Sequence, residues 1–275
     1  MSRWLLLLLA LLGAAAPAQE RPLRIVSLAP HLTELVFAAG AGETLVGTVA
    51  YSDYPAQALD IERIGDAWRV DLERLVALQP DLVLAWPSGT PEQTLQRLRA
   101  SGLEVVLLPT DRLADVAAAL RRIGELTGRA AEAGAAASRF EAGVDALRER
   151  HAADPVVSVF VQLDDQPLYT INGRHLISEV VELCGGRNVF GELPQLAPAV
   201  SLESVLARDP QVILTTDDTI ADPRRAWSRW QGMRAVRAGT IYAVPADTVS
   251  RATPRLIEGI AAVCEALAAA RVAYR

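Results

Sequence analysis

The chain has 275 residues, 51% of them apolar, and its 33 acidic residues outnumber 27 basic ones for a net charge of −6. An acidic chain without a Lys/Arg cluster is a poor match for nucleic acid or an anionic membrane surface. Three histidines and two cysteines, none at ligand spacing, define no zinc site, and no metal is assigned.

Residues 1–18 read as a cleavable leader. Arg3 is the positive start, Trp4 to Leu12 an apolar stretch too short to span a membrane, and Ala16-Pro17-Ala18 a small-x-small cleavage site. No cysteine follows that site, so no lipid anchor is expected. The mature chain, starting near Gln19, is expected to be soluble and periplasmic, with a net charge of −7 once Arg3 is removed.

Short β-branched runs at 24–29, 44–50, 81–86 and 104–109 alternate with segments of helical spacing at 33–40, 72–78 and 94–102. That alternation predicts βαβ units on a mainly parallel sheet. An Ala-rich stretch, 129–153, then predicts one helix about 37 Å long, stopped by Asp154-Pro155. Its two glycines argue for lateral packing rather than a free-standing rod. Strands follow at 156–162, 211–216 and 240–245, and a last helix near Arg255–Ala270.

Two segments are echoed. DLERLVALQPDLVL (71–84) returns as SLESVLARDPQVIL (201–214), and TELVFAAG (33–40) as SEVVELCG (178–185), in the same order. The expected architecture is therefore α/β, with two similar lobes, each on a mainly parallel sheet, and a ligand cleft between them. The lobes span 19–127 and 155–275, joined by a helix within 128–154. A stiff helix packed on both lobes restricts closure, because bending it breaks hydrogen bonds and packing.

In an exported chain an even cysteine pair points to a disulfide. Joining Cys184 to Cys264 would close a loop worth about 4 kcal/mol in the chain-entropy model; two buried thiols are the alternative. Trp86 ends a strand just before Pro87-Ser88-Gly89, where α/β folds bind ligands. Tyr51 also ends a strand. His31 follows the first strand, and a surface position at a helix start fits it better than a metal ligand. Glu73 and Glu203 each stand two residues after an expected N-cap, Asp71 or Ser201, where the helix dipole favours an acid by about 0.3–1 kcal/mol.

YSDYP (51–55), DLERLVALQPDLVLAW (71–86), VVELCGGRNVF (180–190), SLESVLARDP (201–210) and RATPR (251–255) together resemble the helical-backbone periplasmic substrate-binding proteins of ABC importers. That family carries cobalamin, haem and ferric siderophores, and the likeness is greatest to its cobalamin binders. The resemblance implies that Tyr51, Trp68, Trp86 and Tyr169 flank a corrin ring, with Asp247 and Arg251 as polar cleft residues. Trp68 is offset by one position, and Ala197 and Thr248-Val249-Ser250 replace bulkier family residues. It further implies that Glu73 and Glu203 dock, one per lobe, onto an ABC permease dimer in the inner membrane.

Broad aromatic faces and a few polar groups suit a large amide-edged macrocycle. No G-x-S-x-G elbow, P-loop or G-x-G-x-x-G follows a strand. The sequence therefore predicts a non-enzymatic receptor, monomeric when free and without a cofactor, that delivers cobalamin or a related corrinoid to an ABC permease. A haem or siderophore carrier is the alternative, and a chelatase-like enzyme a more distant one.

Overall fold

The computed structural model describes residues 21–66 and 69–275; the expected leader and Trp68 lie outside them. The first lobe runs β1 (Ile25–Ser27), α1 (Pro30–Ala38), β2 (Leu45–Gly47), α2 (Leu72–Ala77), β3 (Leu82–Ala85), α3 (Glu92–Ala100), β4 (Val105–Leu107) and α4 (Leu113–Thr127). Helix α5 (Ala130–His151) crosses to the second lobe. That lobe runs β5 (Val157–Gln162), β6 (Asp164–Asp165), β7 (Leu168–Tyr169), α6 (Leu176–Leu183), β8 (Gly186–Asn188), α7 (Leu202–Arg208) and β9 (Val212–Thr216). It ends with α8 (Pro223–Trp227), α9 (Arg234–Ala238), β10 (Ile241–Val244), α10 (Ala246–Val249) and α11 (Leu256–Ala273).

Duplication is written into the topology. The first sheet has the order β2-β1-β3-β4 and the second β8-β5-β9-β10, every pair parallel. In both lobes the second strand in sequence takes one edge and the other three follow in turn. The echoed segments occupy matching places, α1 with α6, and α2–β3 with α7–β9. Even the helix ends agree. Gln79 and Asp209, each preceding a proline, both adopt the left-handed region, at φ 46° and 41°. Strands β1, β3, β5 and β9 are buried along their whole length, as parallel strands covered on both faces must be.

Helix α5 is three residues shorter than the 129–153 segment, about 33 Å at 1.5 Å per residue, with 22 residues. It stops at His151, whose Nδ1 is paired with Asp154 at 2.8 Å. Half of its buried face is alanine, Ala133, Ala136 and Ala137, followed by Phe140, Val144 and Leu147. This face packs on α4 from the first lobe and on α6 and α11 from the second. Gly143 permits the close approach of α11, since a Cβ there would stand 2.9 Å from Ile257 Cδ1. One continuous apolar core thus runs through both lobes, with a smaller cluster on the outer face of each sheet. Cys184, at the end of α6, is bonded to Cys264 of α11, both buried, so the pair is a disulfide. Strand β8 and the β6–β7 hairpin were not expected. Gly186-Arg187-Asn188 has no β-branched residue, and its pairing is imposed by β5. Among the described residues no helix is long and apolar enough to cross a membrane.

Candidate functional site

A cavity of about 380 Å³ lies between the lobes, at the lower end of the usual range for small-molecule sites. Its first-lobe wall is His31 of α1, Trp86 and Ser88 beyond β3, and Thr110 and Asp111 beyond β4. These follow the carboxyl ends of parallel strands, where such sheets bind ligands. The second-lobe wall is Arg174, His175 and Leu176 at the start of α6, Leu196, and Ser250 and Ala252 beyond α10. Another hollow of about 400 Å³ lies beside the end of α5, lined by Arg148, His151 and Glu182 among others. No Trp, Tyr or Phe lines it; a smaller hollow of about 190 Å³ has Trp227 and Trp230 but lies wholly within the second lobe, so the inter-lobe cavity is the candidate.

Trp86 is held on three sides. Its indole Nε1 donates to Asp111 Oδ1 at 3.3 Å, and its backbone N–H donates to Thr90 Oγ1 at 3.1 Å. The His31 ring meets it edge-on, centroids 5.0 Å apart. Gly89 underlies the ring so closely that a Cβ would fall 2.1 Å from Trp86 Cε3. Asp111 also accepts from Ser88 Oγ at 2.6 Å, so one carboxylate orients the wall's aromatic and its hydroxyl.

Both cavity histidines are neutral at ordinary pH. Burial, reinforced by the nearby Arg251 charge, lowers the pKa of His31 to about 4. Burial likewise lowers His175 to about 4, with Asp111 acting weakly the other way. His31 Nε2 is paired with Thr110 Oγ1 at 3.0 Å. His175 Nδ1 accepts the Ile177 N–H at 3.1 Å, which places the neutral ring's proton on Nε2. That nitrogen is a hydrogen-bond donor, not a free lone pair for a metal. The surface position expected for His31 is thereby corrected: with an apolar helix face below it and Trp86 beside it, the ring is buried.

The YSDYP and RATPR segments meet each other beside the cavity. Arg251 Nη1 donates to Asp53 Oδ1 at 2.7 Å and to Glu34 Oε1 at 2.9 Å, and its Nη2 pairs with Asp247 at 2.8 Å. Burial opposes the Arg251 charge, but bonds to Asp53 and Glu34 outweigh it and raise its pKa. The Arg251 bond also holds the Asp53 carboxyl below its ordinary range. Arg255 stacks on Tyr54, 3.8 Å from the ring centroid. Ser52 is buried and accepts from Thr48 Oγ1 at 2.7 Å, anchoring the loop from inside.

Of the sequence-predicted ligand residues, Trp86 lines the cavity directly. Arg251 lies between the cavity residues Ser250 and Ala252, and Asp247 is exposed and paired with it. Tyr51 is 79% exposed and stands two residues before Asp53, outside the cavity wall. Tyr169 is half-buried on the β6–β7 hairpin, and Ala197 is exposed next to Leu196. Glu73 and Glu203 are exposed in the first turns of α2 and α7, behind N-caps in which Asp71 accepts from Arg74 N and Ser201 from Ser204 N. A backbone hydrogen bond, then Ser201, lowers the Glu203 pKa. Asp111, Arg174 and His175 were missed. Asp111 follows a strand and was open to the strand-end argument that found Trp86; His175 reaches the cavity only through the second lobe's placement.

Comparison with known proteins agrees with this layout. A family model described as periplasmic binding protein matches residues 25–248. The chain is 37% identical over 255 residues to the vitamin B12-binding protein of Vibrio cholerae serotype O1, covering 92% of this chain and 91% of that one. The crystal structure of the periplasmic vitamin B12 binding protein BtuF of Vibrio cholerae superimposes with a TM-score of 0.85 at 37% identity, covering 90% and 97%. The apo periplasmic heme-binding protein RhuT from Roseiflexus sp. RS-1 shares the fold, with a TM-score of 0.80 at 24% identity over 90% and 99%.

Proposed function

Because the chain belongs to the periplasmic binding protein family, we propose that it is a periplasmic receptor, exported by its leader, that captures cobalamin or a related corrinoid between its lobes. The observation that carries this reading is the inter-lobe cavity walled by a fixed Trp86. Its face offers apolar contact to a macrocycle, while neutral donors around it suit carboxamide edges. Tyr51 and Asp247, at the exposed rim, are the groups a ligand larger than the cavity would reach next; Trp68 and Tyr169 complete the proposed contacts. A protonated His175 Nε2 supports an amide-bearing ligand over an iron held by that ring. Membership of a family of binding proteins supports capture over turnover.

Delivery is assigned to Glu73 and Glu203, one on each lobe at equivalent helix starts. A pseudo-symmetric protein presenting matched acids suits the two halves of a symmetric permease dimer. The ligand assignment is tested by calorimetry of the mature protein with cyanocobalamin, cobinamide, hemin and a ferric siderophore. One-to-one submicromolar binding of a corrinoid is expected. Silence with both corrinoids, together with saturable hemin binding, would move the assignment to haem.

A further inference from the structure

The duplication reaches into the contacts that hold the lobes together. Glu34 and Glu179 are the second residues of the echoed segments at 33–40 and 178–185, so they are equivalent positions on α1 and α6. Each carboxylate crosses to the other lobe. Glu34 accepts from Arg255 Nε at 3.1 Å and Nη2 at 2.7 Å, and from Arg251 Nη1 at 2.9 Å. Glu179 accepts from Arg112 Nε and from the Leu113 N–H, both at 3.0 Å. The partners are equivalent too. Arg112 is the N-cap of α4 and Arg255 the N-cap of α11, the long helices that follow the last strand of each sheet.

These ties bracket the cavity. Arg251 lies between Ser250 and Ala252 of its wall, while Arg112 follows Asp111, and Glu179 is one helical turn beyond His175. They are unequal in strength. Glu34 is 3% exposed and satisfied by two guanidiniums that are themselves largely buried. The Glu179 pair is wetter, with side-chain exposures of 24% for the glutamate and 58% for Arg112. Removing one partner from a buried ion pair strands a desolvated charge, whereas an exposed pair is screened and worth little.

We propose that Glu34 and Glu179 are reciprocal positioning residues that set the gape of the cleft, the Glu34 tie serving as pivot and the Glu179 tie as the side that yields. The inference rests on the cleft being the ligand site, but its first readout requires no ligand. Spin labels carried on non-canonical side chains at exposed Glu92 and Arg225, one per lobe, leave the disulfide untouched, and pulsed dipolar spectroscopy then reads the lobe separation. The unsubstituted protein should give one narrow distance distribution. Glu34→Gln should shift and broaden it strongly and Glu179→Gln mildly. The exchange Glu179→Arg with Arg112→Glu should restore the narrow form, since the carboxylate then comes from the α4 end.

Cyanocobalamin dissociation by stopped flow is the second readout, expected to quicken about tenfold for Glu34→Gln and less for Glu179→Gln, because such changes act mainly on off-rates. Unchanged distributions in both glutamine variants would overturn the proposal, as would an exchange variant no narrower than Glu179→Gln. Should Glu34→Gln fail to fold, Glu179→Gln and its exchange partner decide the matter by themselves. If the unsubstituted protein binds no corrinoid, the ligand assignment fails while the distance measurements still judge the ties.

Discussion

Replacing Gly89 by alanine should disorder the site without replacing any residue that meets the ligand. The new Cβ would stand 2.1 Å from Trp86 Cε3 and 2.2 Å from Cζ3. Carbon atoms settle at about 3.5–4.0 Å, so the ring must withdraw by about 1.4 Å or more. The Nε1–Asp111 bond, already 3.3 Å long, does not survive that shift, and the edge contact with His31 loosens. A hydrogen bond to a charged acceptor contributes about 1.5–3 kcal/mol and an aromatic pair about 0.5–1.5 kcal/mol. The long bond and half-buried ring argue for the low end, a loss of about 2 kcal/mol. Gly→Ala at an open, compatible position instead stabilises by about 0.4–1 kcal/mol, so even the sign is informative. Urea unfolding and cyanocobalamin calorimetry should be run on Gly89→Ala, Trp86→Ala and the double variant. If Gly89 acts through the indole, its substitution costs about 2 kcal/mol alone and almost nothing beside Trp86→Ala. Equal losses in both backgrounds, or a gain in stability, would refute the reasoning.

Acid should weaken the fold before carboxylates protonate. The folded-state pKa values of His31 and His175 are depressed to about 4, so stability is complete above pH 6.5 and declines as pH falls towards 4. Each ring contributes about 1.4 kcal/mol per pH unit in that window; urea midpoints should show it, and His31→Gln should remove about half the slope. Reducing Cys184–Cys264 frees an 80-residue loop and should cost about 4 kcal/mol, read as a lower Tm; an unchanged Tm would argue against the loop-entropy account. Trp86→Ala should weaken corrinoid binding by about 1–3 kcal/mol, whereas intact affinity with lost stability would assign the ring to the core. Glu73→Ala with Glu203→Ala should leave ligand affinity intact and lower Tm only by the helix-start term, about 0.3–1 kcal/mol each, yet abolish uptake, each single change doing less; uptake at the unsubstituted rate would return both to simple helix-start acids.

Regularly spaced apolar residues made most of the fold legible. The two echoes placed α1 with α6 and α2–β3 with α7–β9, and the sheet orders agree. Gly186–Asn188 escaped notice because its strand character comes from β5, not from its own side chains. At the site, Trp86 was visible as an aromatic at a strand end before a Pro-Ser-Gly turn. His31 looked like a surface residue because nothing local announces that Trp86 and Thr110 will enclose it. The YSDYP and RATPR segments were both marked, through resemblance, as belonging to the cleft. That Asp53 and Arg251 grip each other across 198 residues is a property of the lobe arrangement, which no local pattern encodes.

The Ala-lined α5 strut, pinned between α4 and α11, also bears on kinetics. A receptor whose walls are already in place has no closing step to complete and no population of incompetent conformers to subtract from its affinity. Capture should then proceed in a single exponential phase whose rate rises linearly with ligand concentration. The asymmetry falls on the return journey: a vessel that does not open of its own accord retains its cargo, and emptying it takes work from whatever grips both lobes at once.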